Sequence, residues 1–151
     1  MTRVVFAVGN AYRRDDGVGL AVGAALAGRV APDVVVVPCE QEPSRLIDAW
    51  NGAATAVVVD AMVSGARPGT VHRFDASTDA IPAGVFRSST HAFGVGDAVE
   101  LARALGRLPA RVLVYGVEGE AFDAGEGLTR SVQDAVPNVV AAVLDDLTET
   151  T

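Results

Sequence analysis

Val4-Val5-Phe6-Ala7-Val8-Gly9-Asn10, followed by Arg13-Arg14-Asp15-Asp16-Gly17-Val18-Gly19, is the stretch on which the fold turns. Its first five residues are uninterruptedly apolar, as in a strand covered on both faces. From Gly17 to Arg29 the period changes, and Val18, Ala21, Val22 and Ala25 fall on one side of a helix. A buried strand, a polar loop and then a helix is the opening of a parallel α/β sheet.

The alternation continues along the chain. Val34 to Val37 is a second β-branched run, and Pro43 to Trp50 reads as a short helix opened by proline and stopped at Asn51-Gly52. Thr55 to Asp60 forms a third strand and Gly69 to Phe74 a fourth. Only Ala61 to Pro68 separates these two, whereas a parallel crossover takes about a dozen residues or more, so the fourth strand is expected to be antiparallel, at or near an edge. Gly94 to Leu105 is an amphipathic helix with Gly106 just beyond its end, and Arg111 to Val117 is a fifth strand. The last helix begins after Thr129 and runs to about Leu147, with Pro137 expected to kink or split it. The expected architecture is a three-layer α/β/α sandwich around a mostly parallel sheet, as one domain over residues 1–151 with a frayed tail from Thr148.

Composition removes several function classes. All twelve basic residues are arginine, and without lysine there is no Schiff-base catalysis and no P-loop lysine. A net charge of −7 argues against a nucleic-acid partner. Cys39 is the sole cysteine, so an internal disulfide, a four-cysteine zinc site and a Cys-x-x-Cys pair are impossible. The first apolar run is too short for a signal peptide and no run approaches a membrane span, so a cytoplasmic protein with no membrane partner is expected.

Functional groups in parallel α/β sheets gather beyond the carboxyl ends of the strands. Asp16 follows the first strand, Asp60 closes the third, and His91 in Ser88-Ser89-Thr90-His91 precedes the helix leading into the fifth. Two carboxylates and one imidazole make a three-point grip for zinc, nickel or a similar first-row ion, with coordination positions left open. Each has a plainer explanation. Asp15 or Asp16 suits a helix N-cap, Asp60 an Asx-turn, and His91 an exposed helix start. His72 falls inside the fourth strand, outside this set. Cys39 reads as a small buried side chain, its thiolate a soft ligand only if it reaches the rim. Glu118, Glu120, Asp123 and Glu126 read as a solvated acidic loop, and Ser88 and Ser89 lack the partners of a serine triad. Gly9, Gly17 and Gly19 are wrongly spaced for a dinucleotide fingerprint, although Glu40 sits where a ribose-binding acid would.

Taken in order, Val8-Gly9-Asn10 through Asp15-Asp16-Gly17-Val18-Gly19, Val59-Asp60-Ala61 with Pro68-Gly69-Thr70, Ser89-Thr90-His91, Tyr115-Gly116-Val117 and Gly127-Leu128-Thr129 resemble the hydrogenase maturation proteases. The likeness runs from about residue 3 to residue 147. It implies a five-stranded mixed sheet with one antiparallel strand, and Asp16, Asp60 and His91 as the metal-contacting and catalytic trio. It also implies an endopeptidase that removes the C-terminal extension of a nickel-loaded [NiFe] hydrogenase large-subunit precursor, the nickel arriving with the substrate. The same trio would serve a nickel-sensing chaperone that never cuts, or a stand-alone peptidase holding its own zinc. One segment departs from the family: many members carry Asp-Gly-Gly-Thr after strand two, where this chain has Cys39-Glu40-Gln41-Glu42. Glu40 and Gln41 resist backbone angles that two glycines permit.

Overall fold

The computed structural model describes residues 2–40, 43–86 and 93–148. Five strands, β1 (Arg3–Val8), β2 (Val34–Cys39), β3 (Thr55–Met62), β4 (Val71–Asp75) and β5 (Arg111–Glu118), form one sheet in the order β2-β1-β3-β5-β4. All neighbours pair in parallel except β4, which runs antiparallel to β5 at the edge. The short connection after β3 has this consequence because the chain re-enters the sheet from the rim it has just left.

Helices α1 (Val18–Leu26) and α4 (Arg130–Thr148) cover one face; α2 (Leu46–Ala49) and α3 (Val95–Ala104) cover the other. Strand residues alternate between two cores: Val5, Val57 and Leu113 face α1 and α4, whereas Phe6, Val58 and Val114 face α2 and α3. Among the described residues no helix is long and apolar enough to cross a membrane.

Several boundaries differ from expectation. A 3-10 turn, Arg14–Gly17, precedes α1, and α1 stops at Leu26 instead of Arg29. Its buried stripe is Val18, Gly19, Val22, Gly23 and Leu26, while Ala25 is exposed. Apolar periodicity missed this because glycine, not alanine, faces the sheet. A Cβ on Gly23 would lie 2.4 Å from that of Ala7, so the helix sits too close for any side chain there. Strand β3 continues two residues past Asp60. Pro137 does not split α4: it lies on the exposed side, where water can take the Gln133 carbonyl that it leaves unbonded. Gly94 caps α3, and Gly106 (φ 68°) follows its end as expected.

Candidate functional site

The strand registers align one row of residues across the carboxyl rim. Cys39 pairs with Val8, Asp60 with Gly116, and Gly116 with His72. Val8 and Asp60 stand one step beyond the Ala7–Val59 pair. The row Cys39, Val8, Asp60, Gly116, His72 therefore crosses all five strands on the α2/α3 face, with Asp60 at its centre. Cys39 and His72 are each two strand spacings from Asp60, about 10 Å in backbone terms.

Asp60 is 6% exposed, and its Oδ1 accepts the Ala61 N–H at 2.8 Å. Burial first, and the charge of Asp16 second, push the Asp60 carboxyl well above the usual carboxylate range; the Ala61 amide offsets this only in part. Asp16 reaches this neighbourhood because α1 begins in close contact with two strand ends. A Cβ on Gly19 would stand 2.2 Å from the Val8 carbonyl oxygen and 2.4 Å from that of Val59. Gly9 (φ 155°) lies against the Asp16 carbonyl, which accepts the Asn10 N–H at 3.1 Å. The glycines of the opening motif thus bring a half-exposed carboxylate beside a buried one.

Neither aspartate caps α1, whose N-cap is Gly17 with no side-chain bond. Asp15 is fully buried and faces the loop after β5. Its Oδ2 accepts the Glu120 and Ala121 amides at 2.8 and 3.0 Å, and its Oδ1 accepts the Thr129 amide at 2.8 Å, with the Thr129 hydroxyl donating as well. Burial raises its pKa, but the amides of Ala121, Thr129 and Glu120 outweigh it and hold the carboxyl below its ordinary value. Arg14 (φ 51°) occupies the left-handed region, held by its amide on the Gly125 carbonyl and its Nε on that of Gly127. The loop carrying Asp16 is fixed to the loop between β5 and α4.

His91 lies outside the described residues. Phe86, five residues before it, lies over Gly116: a Cβ there would meet its ring at 2.8 Å, and Gly116 is the register partner of Asp60. Among the described residues no three His, Cys, Asp or Glu side chains cluster to hold a metal. The two carboxylates, the buried one accepting the Ala61 N–H, form a hard oxygen pair that suits a divalent cation and would be relieved by one.

The acidic stretch after β5 is not wholly solvated. Glu118 is 2% exposed and accepts the Ser64 amide at 2.8 Å and its hydroxyl at 2.6 Å, ordering the loop after β3; His72 Nε2 lies 3.7 Å from it. Asp146 was not singled out from the sequence, although it falls at helical spacing from Val139 and Val143 on the buried face of α4. It accepts a two-pronged bond from Arg73 at 2.8 and 3.1 Å and one from the Tyr115 hydroxyl. Burial pushes the Tyr115 hydroxyl above its ordinary pKa, with the Asp146 charge adding to it. This network joins β4, β5 and α4 and is separate from the carboxylate pair.

A family model described as hydrogenase maturation protease matches residues 22–146. The hydrogenase expression/formation protein HupD of Thiocapsa roseopersicina is 27% identical over 151 residues, covering 97% of this chain and 67% of its own length. HoxM of Cupriavidus necator, likewise a hydrogenase expression/formation protein, is 29% identical over 142 residues, covering 91% and 69%. Among solved structures, the hydrogenase maturating endopeptidase HybD from E. coli superposes with a TM-score of 0.78 at 22% identity, covering 97% of this chain and 92% of its own. The [NiFe] hydrogenase maturation protease HybD from Thermococcus kodakarensis gives 0.73 at 26% identity, with 99% and 100% covered.

Proposed function

The chain belongs to the hydrogenase maturation protease family, and we propose that it removes the C-terminal extension of a nickel-loaded [NiFe] hydrogenase large-subunit precursor. The observation carrying this reading is the carboxylate pair: Asp16 from the loop after β1 sets its charge beside Asp60 on β3, at the sheet rim. His91 is the third member. That assignment rests on the family resemblance carried by Ser89-Thr90-His91.

The nickel arrives as part of the substrate. Asp16, the more exposed carboxylate, and His91 take open positions on that ion and hold the scissile peptide beside it. Asp60 joins them as the third group of the trio, and one of the two carboxylates handles the proton that the leaving amine needs. Water adds to the peptide carbonyl and gives a proton to that carboxylate, the C–N bond breaks, and the same proton passes to the departing nitrogen. The partner is the precursor polypeptide, and the reaction belongs in the compartment where the precursor is loaded.

The test is to incubate the purified protein with nickel-loaded and nickel-free precursor and to weigh the products. A single C-terminal truncation that requires nickel is expected. No truncation, or equal truncation without nickel, overturns the reading. Metal analysis separates it from the zinc-peptidase alternative, which requires about one bound equivalent per chain.

A further inference from the structure

A cavity of about 300 Å³ lies between β2 and α2, two strands along the sheet from Asp60. Its apolar wall is Phe6, Val37 and Leu46, with Cys39 on one side and Arg45 and Glu40 among its lining. It opens at the carboxyl rim on the same face of the sheet as Asp60, because Cys39, Val8 and Asp60 occupy one register row. Two strand spacings of about 4.8 Å separate Cys39 from Asp60, and an extended peptide advances about 3.3 Å per residue, so the cavity lies about three residues from a bond held at Asp60.

Its chemistry has two parts. The wall suits an aliphatic side chain and offers it Cys39 as its one polarizable neighbour. Arg45 is exposed and makes no hydrogen bond or ion pair among the described residues. On a chain of net charge −7, an uncommitted guanidinium marks a place where a carboxylate is welcome. Glu40, exposed on the same lining, disfavours a second acid there.

Resting on the function proposed above, we infer that this cavity is a substrate subsite: it takes an aliphatic side chain about three residues from the scissile bond, and Arg45 pairs with an acidic residue next to it. The subsite fixes the register of the precursor's tail, so the bond beside the carboxylates is chosen by contacts two strands away.

Cys39, as the chain's sole cysteine, provides a readout independent of cleavage. The full chain is alkylated with N-ethylmaleimide in the presence of synthetic peptides spanning the precursor's cut site, each rate being normalised to the same protein without peptide. Saturating peptide is expected to slow alkylation at least about fivefold, as a filled pocket excludes reagent. Alanine in place of the aliphatic residue, or Arg45→Glu in the protein, abolishes the protection; a peptide with lysine in place of the acid restores it in the Arg45→Glu protein. A thermal midpoint unchanged in Arg45→Glu confirms its fold. No protection by saturating peptide, or equal protection in Arg45→Glu, overturns the subsite. Protection without cleavage of the nickel-loaded precursor supports the subsite and removes the proposed reaction.

Discussion

Asp15 and Thr129, 114 positions apart, are joined through one buried carboxylate: the Thr129 amide donates to it at 2.8 Å, and the Thr129 hydroxyl, with its one hydrogen, lies 3.0 and 2.8 Å from its two oxygens. The pair closes the rim, tying the loop that bears Asp16 to the start of α4. Asp15 therefore positions the candidate site without facing it.

Replacing Asp15 by alanine leaves the Glu120, Ala121 and Thr129 amides without their carboxylate acceptor, which should cost about 3 kcal/mol. Asp15→Asn should cost less, because one acceptor oxygen remains. The folded Asp15 titrates below 3.8, so its stabilisation is present above about pH 4 and is lost as pH falls through the folded value. Denaturant titrations of both variants at pH 7 and pH 3 check this. Equal losses at both pH values would contradict it.

Asp60 has the opposite sign. Its folded pKa lies above 3.8, so the fold prefers the protonated form and loses stability as pH rises from about 4 toward the folded value. Asp60→Asn should therefore stabilise the protein at pH 7, by about 1 kcal/mol or more, with the gain vanishing toward pH 4. The same variant should process no precursor. Melting curves across this range, with a parallel processing assay, test both statements.

Asp16→Asn should leave the thermal midpoint within about 2 °C of the parent, since the residue is half-exposed, and should abolish processing. Stripping nickel from the precursor should stop the parent protein equally. Unchanged processing by the variant removes Asp16 from the mechanism.

Gly19→Ala would set a methyl group 2.2 Å from the Val8 carbonyl oxygen, where only backbone movement can relieve the clash. A loss of about 2 to 3 kcal/mol is expected. Processing should fall further than stability, because α1 carries Asp16 away as it lifts. Processing unchanged at a temperature where the variant is folded would show that this close approach does not position the site.

Asp146→Ala separates the remote network from the site. It leaves the Arg73 and Tyr115 groups without their shared acceptor and should cost about 3 to 4 kcal/mol. Processing by the fraction that stays folded should match the parent.

Periodicity and loop length settled much of this protein before any coordinates: alternating strands and helices require a layered sheet, and the eight residues from Ala61 to Pro68 force β4 to return antiparallel. These are local properties, fixed by the reach of a short chain and the repeat of a helix. Asp16 and Asp60 were legible as rim residues for the same reason, since each follows or ends a recognisable strand. Which of two adjacent aspartates turns inward was not legible. Asp15 and Asp16 are chemically identical, and only the amides of residues 120, 121 and 129, brought up from the far end of the chain, bury one and leave the other beside Asp60. Glu118 and Asp146 were hidden likewise, because burial of a charge depends on partners that no local pattern records. The row from Cys39 through Asp60 to His72, and the cavity beside it, exist only once five strands have taken their registers.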